Sequence, residues 1–164
     1  VLIAIDPSVN YIGVAVFSGK ELITADLINL VKHKSLGDKL AVFIERLNSI
    51  VDDKGSEDDV TFIFEHPSFY YHDKSKKGIM KLWHFIGALE SLCVIQGMAV
   101  ESVEVCDWKG RTSKDITELT VRAMYRAGWE TVRNNVAVSY RHNVYDAIAL
   151  GDWRIKNGTL EPGV

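Results

Sequence analysis

The apolar run Val1-Leu2-Ile3-Ala4-Ile5 ends in Asp6, turns, and is followed by a second apolar run, Ile12-Gly13-Val14-Ala15-Val16-Phe17. Two short apolar runs separated by a turn predict a buried β-hairpin, which commits the chain to a sheet from its first residues. A carboxylate at the tip of a buried strand is costly to leave unpaired, so its presence there demands a partner. Glu65 repeats the arrangement at the end of Val60-Thr61-Phe62-Ile63-Phe64. Asp146 lies in the helical stretch Tyr145-Asp146-Ala147-Ile148-Ala149-Leu150. Three acids far apart in sequence, each beside a core element, point to one cluster that holds divalent metal.

The rest of the chain supplies the layers for such a sheet. Residues 1–6, 11–17 and 21–30 read as three strands, with Gly19 and Lys20 at the second turn. Leu36, Leu40, Phe43, Ile44, Leu47, Ile50 and Val51 recur at helical steps, predicting a helix over about 36–52. Residues 60–65 form a near-continuous apolar strand suited to a central position, and 66–77 read as an exposed loop. A second helix is expected over about 77–96, carrying Met80, Trp83, Ile86, Leu89, Leu92 and Cys93 and stopped at Gly97. Residues 100–105 alternate like a half-buried strand. Ser113 is placed to cap a helix running to about 127 and ended by Gly128. The last helix begins near Arg141 and ends before Asn157-Gly158. The order is three strands, helix, strand, helix, strand, helix, helix, a mixed α/β layer fold. With no repeat and no linker, residues 1–164 are expected to form one domain.

Bulk properties narrow the partners. No unbroken apolar run approaches the ~20 residues of a membrane span, and the opening run lacks a signal peptide's basic region. No membrane partner and a cytoplasmic location are therefore expected. Cys93 and Cys106 read as buried free thiols of a reducing compartment, not as a disulfide framework or zinc site. The net charge of −3 argues mildly against a nucleic-acid partner. Distribution counts for more: acids crowd into residues 52–59, whereas His72–Lys77 and Lys109-Gly110-Arg111 are basic.

A hard cation such as Mg²⁺ takes oxygen ligands and retains water. Asp6 and Glu65 become neighbours if their strands are adjacent, and Asp146 can complete the group from a helix. His142 and Asn143 lie four and three residues before Asp146, so both can share its face. Either could supply a fourth ligand or position a water. Taken singly, Asp6 and Glu65 read as turn residues, Asp146 as a solvent-facing acid and His142 as a capping residue; the conjunction carries the argument.

Ile3-Ala4-Ile5-Asp6-Pro7-Ser8 followed by Gly13-Val14-Ala15 resembles the opening hairpin of the RuvC-type Holliday junction resolvases, in the ribonuclease H-like superfamily. Glu65 stands where that family's second acid ends a later strand. Asp146-Ala147-Ile148-Ala149-Leu150 is similar to its C-terminal acidic helix, and Trp108–Lys114 to its basic loop. The chain departs from the pattern at Ser8, where many members have glycine, and at Asn143, where bacterial members have an acid or a histidine. It looks more like a phage-type relative.

The resemblance implies a ribonuclease H-like α/β fold with a mixed five-stranded sheet flanked by helices. It implies a homodimeric, Mg²⁺-dependent endonuclease, with Mn²⁺ substituting, that nicks two symmetric strands of a four-way DNA junction. The implied metal ligands are Asp6, Glu65 and Asp146; the resemblance leaves the fourth open, and His142 is favoured over Asn143 because its ring can also take part in proton transfer. Lys76, Lys77, Lys109, Arg111 and Lys114 are expected on DNA phosphates. Phe69, Tyr70 and the adjacent Tyr71 either stack on bases unpaired at the junction or pack on the body. The 77–96 helix is apolar over much of its circumference, as a two-sided core or a dimer interface requires. Competing readings are another ribonuclease H-like enzyme, of the RuvX/YqgF type or acting on RNA–DNA hybrids, and a non-catalytic module that binds branched DNA.

Overall fold

A computed structural model of the chain describes residues 1–52, 60–68 and 76–158. β1 (Leu2–Pro7), β2 (Tyr11–Ser18) and β3 (Glu21–Asn29) form an antiparallel meander, followed by α1 (Leu36–Asp52). β4 (Thr61–His66), α2 (Lys76–Ile95) and β5 (Ala99–Glu104) come next, then a one-turn helix α3 (Val105–Trp108). α4 (Lys114–Met124), α5 (Arg126–Asn135), a 3-10 turn at Val138–Tyr140 and α6 (Arg141–Asn157) complete the order. The five strands lie in the order β3-β2-β1-β4-β5, with β4 parallel to both β1 and β5. This is the expected mixed five-stranded sheet flanked by helices.

Strand alternation sorts the core into two layers. Ile3, Ile5, Phe62 and Phe64 face α1 and α2, packing with Phe43, Leu47, Phe85, Ile86 and Leu89. Ala4, Ala15, Phe17 and Ile63 face the other way, onto Val121, Trp129, Val144 and Ile148 of α4, α5 and α6. The same parity governs the strand ends. Asp6 follows Ala4, and Glu65 follows Ile63, so both acids turn toward the α6 side. His66 follows Phe62 and Phe64 to the α2 side, where its Nε2 lies 2.6 Å from Glu90 Oε1.

Several local readings hold and others change. Gly97 ends α2 at a φ of +78°, with its own N–H donating to Val94 O and that of Met98 to Cys93 O. Ser113 caps α4 by accepting from the Ile116 N–H. The helix expected to reach 127 is broken at Tyr125, whose φ of −128° and ψ of 54° are not helical. Gly128 does not end a helix; it lies inside α5, where a Cβ would stand 2.5 Å from Leu22 Cδ2. Periodicity across 114–135 is continuous enough to hide the break. Cys93 is buried as expected, but Cys106 is exposed on α3.

By length and composition alone, Lys77–Ile95 of α2 is also apolar enough to cross a membrane. Lys81, His84 and the pair Glu90-Ser91 interrupt the stretch, so it holds no long unbroken apolar run. In this structure Phe85, Ile86, Leu89 and Cys93 of that helix belong to the core, while Met80, Val94 and Ile95 are exposed.

Candidate active site

β1 and β4 are paired through Ile5↔Phe64, which places Asp6 and Glu65 one step further along adjacent parallel strands. α6 crosses β1 and β2 on the same side of the sheet, with Val144, Ala147 and Ile148 in the core beneath it. What allows it so close is Gly13, the register partner of Asp6. A Cβ on Gly13 would stand 2.0 Å from the Asn143 carbonyl oxygen, so only glycine fits under the first turn of α6. Tyr140, just before the helix, stacks on Tyr11 with ring centroids 3.9 Å apart. These contacts hold Asp146, buried on α6, against the strand-end acids.

The electrostatics follow from that convergence. Burial first, then the charges of Glu65 and Asp146, pushes Asp6 well above the usual carboxylate range. Burial and then Asp146 raise Glu65 to about 7, against the opposing pull of Lys109 and a hydrogen bond from Trp108. Carboxylates raised by burial and by neighbouring charge concentrate at functional sites. His142 is held below its ordinary range, by burial first and the Lys114 ammonium second, which favours the neutral ring.

Two residues after β5 enter this cluster. Trp108 Nε1 donates to Glu65 Oε2 at 2.9 Å. Lys109 Nζ lies 2.5 Å from Asp146 Oδ1, in a pair whose side chains are only 12% and 8% exposed. The sequence marks Trp108 only as the neighbour of a basic residue; its indole N–H as an orienting donor is found only in the structure. Of the residues expected on DNA, Lys77, Arg111 and Lys114 are exposed, whereas Lys109 is turned inward onto Asp146. Lys114 lies close enough to affect both Asp6 and His142. Phe69, Tyr70 and Tyr71 fall outside the described residues, as does the side chain of Lys76.

Asn143 is buried, with its backbone against Gly13, and His142 is half-buried beside the acids. The donor set suits a hard divalent cation: three carboxylates, of which Asp146 Oδ1 is buried and accepts no hydrogen bond of good geometry. Its close companion is the Lys109 ammonium. Among the described residues no three His, Cys, Asp or Glu side chains are drawn together at metal-binding spacing. The donor chemistry fits a divalent metal, and the Lys109 ammonium is the cation that meets Asp146 in this structure.

No protein-family model matches the sequence, and no curated protein matches it significantly. Solved structures do match the fold. The RuvC of Thermus thermophilus in complex with a Holliday junction substrate aligns with a TM-score of 0.67 at 15% identity, covering 96% of this chain and 95% of that one. A second structure of Thermus thermophilus RuvC gives 0.61 at 16% identity, covering 93% and 92%. The yeast mitochondrial Holliday junction resolvase Ydc2 gives 0.63 at 11% identity, covering 94% of this chain and 77% of its own. The chain therefore has the ribonuclease H-like fold of the RuvC-type resolvases.

Proposed function

We propose that this protein is a divalent-metal-dependent endodeoxyribonuclease that resolves four-way DNA junctions by paired symmetric nicks. The observation that carries the proposal is the convergence of Asp6, Glu65 and Asp146 from β1, β4 and α6, with Asp6 and Glu65 raised by burial and by their neighbours' charge. Its fold neighbours include a RuvC solved with a Holliday junction substrate, which makes branched DNA the substrate to test first.

Asp6, Glu65 and Asp146 would hold the cation, with Mg²⁺ the expected ion and Mn²⁺ its substitute. When bound, such an ion activates a water and stabilises charge on a phosphodiester's leaving oxygen. Trp108 orients Glu65 through its indole N–H. His142, favoured as a neutral imidazole, is suited to hold or accept a proton at a ring nitrogen beside the acids. Exposed Arg111 and Lys114 flank the site and supply phosphate contacts.

Paired nicking calls for two sites related by a two-fold axis. Met80 near the start of α2 and Val94 and Ile95 at its end are 56%, 59% and 79% exposed, and a homodimer through α2 would cover them. The deciding experiment is cleavage of a synthetic mobile four-way junction with Mg²⁺, mapping nicks on each strand beside flap, hybrid and single-stranded controls. Symmetric nicks on opposed strands support resolution. Preference for an RNA–DNA hybrid would assign the other nuclease class, and binding without cleavage in any divalent metal would make the protein a binding module.

A further inference from the structure

A cation of the chain itself meets the acidic cluster at Asp146. α3 is a single turn, tied to the start of the segment after β4 by the Cys106 N–H donating to Ser68 Oγ at 3.3 Å. It closes with the N–H groups of Lys109 and Gly110 both donating to Val105 O. Gly110 takes a φ of +56°, which a side-chain-bearing residue rarely adopts, and so turns the chain sharply just after Lys109. Trp108 and Lys109 consequently reach the cluster from one short turn but end on different acids. The indole donates to Glu65, and the ammonium rests on Asp146 while lying 5.5 Å from the Trp108 ring centroid. A buried carboxylate is costly without a cation beside it, and at Asp146 the Lys109 ammonium provides one.

We propose that the Lys109 ammonium is the cluster's built-in counter-ion, seated on Asp146 in the metal-free protein and expelled when a divalent cation binds there. This rests on the metal-dependent reading above and adds a switch to it. One ammonium oxygen contact and a metal–oxygen bond compete for the same buried Asp146 Oδ1. A divalent ion attracts the three carboxylates more strongly than one ammonium does and draws them to its own spacing. The lysine then moves out beside exposed Arg111 and Lys114, where a DNA phosphate can take it up. Metal loading and phosphate binding would thus be coupled through one side chain, while Trp108 stays on Glu65 as a positioning residue.

The experiment combines calorimetric titration of the whole chain with Mg²⁺ or Mn²⁺ and acylation of lysines by an N-hydroxysuccinimide ester, read residue by residue by mass spectrometry. Without metal, Lys109 should react far more slowly than exposed Lys114 and Lys77. Saturating Mg²⁺ should raise its labelling several-fold and leave Lys77 unchanged. In Asp146→Asn, Lys109 should label quickly with or without Mg²⁺. Lys109→Met should tighten divalent-cation binding by about tenfold, because the competing charge is gone. If calorimetry shows Mg²⁺ binding while Lys109 stays protected, or if Lys109→Met binds metal more weakly, the displacement is wrong and the metal site stands. If neither the wild-type protein nor Lys109→Met binds a divalent cation, the metal-dependent reading itself fails and takes this proposal with it. The wild-type labelling decides the matter even if the variant does not fold.

Discussion

Gly13 on β2 and Asn143 on α6 meet backbone to backbone, so closely that a single added Cβ would lie 2.0 Å from the Asn143 carbonyl oxygen. Because Gly13 pairs with Asp6 in the sheet, this contact sets how near Asp146 comes to the strand-end acids. Gly13→Ala should push α6 outward. The cost should reach the upper end of the ~1–3 kcal/mol typical of overpacking, lowering Tm by about 10 °C for a domain of this size. Cleavage should fall further than the loss of folded protein explains. A Gly13→Ala protein of unchanged Tm and activity would show that α6 does not depend on this contact.

Asp6→Asn, Glu65→Gln and Asp146→Asn should each abolish Mg²⁺-dependent cleavage of a four-way junction. DNA binding should persist, since phosphate contacts come from lysine and arginine, and removing an acid lessens repulsion. Near wild-type nicking by any two of the three variants would break the cluster.

The pH dependence has a definite sign. Glu65 is raised from 4.5 to about 7 in the folded protein, chiefly by burial and then by Asp146. Between those values the folded chain binds a proton that the unfolded chain has released. This group's contribution to metal-free stability is therefore full below the unfolded value and lost as pH rises through about 7. Asp6, also raised, acts in the same direction. Because a metal binds the ionised carboxylates, the rise in Tm on saturation with Mg²⁺ should be larger at about pH 8 than at about pH 6. Thermal unfolding with and without Mg²⁺ at the two values checks this, and an equal shift at both would rule out Glu65 as the titrating ligand.

Lys77→Ala, Arg111→Ala and Lys114→Ala should each weaken junction binding and flatten its dependence on salt, by about 0.9 in log–log slope per lost phosphate contact. Binding isotherms over a range of salt concentrations give the slopes directly. Unchanged slopes in all three would put the DNA on another face.

His142→Ala should reduce single-turnover cleavage at saturating metal strongly, and His142→Asp should recover part of the rate. Asn143 is buried with its backbone against Gly13, so Asn143→Ala should cost mainly stability, visible as a lower Tm with a milder loss of rate. The reverse ranking would give the fourth position at the site to Asn143.

The apolar periods of this chain were enough to place all five strands, α1, α2 and α6, because alternation and helical spacing are local and survive without knowledge of the fold. The three acids were legible for the same reason: each ends or sits within a strongly apolar element, where burial makes a charge conspicuous. The partition of 114–135 into α4 and α5 was not, since Tyr125 breaks the helix without a glycine or proline to signal it. Nor could local pattern show that Glu65 and His66, adjacent in sequence, separate to opposite layers and take Trp108 and Glu90 as partners. Strand parity makes them diverge, but the identity of each partner depends on sheet order and on which helix covers which face. Lys109 shows the limit most plainly. Its sequence setting is that of an exposed phosphate-binding lysine, yet a one-turn helix and the φ of Gly110 turn it inward onto Asp146. Sequence determined which groups carry charge and which elements hold them; only the packing of β1, β4, α3 and α6 decided which charges meet, because burial and proximity are properties of the assembled layers.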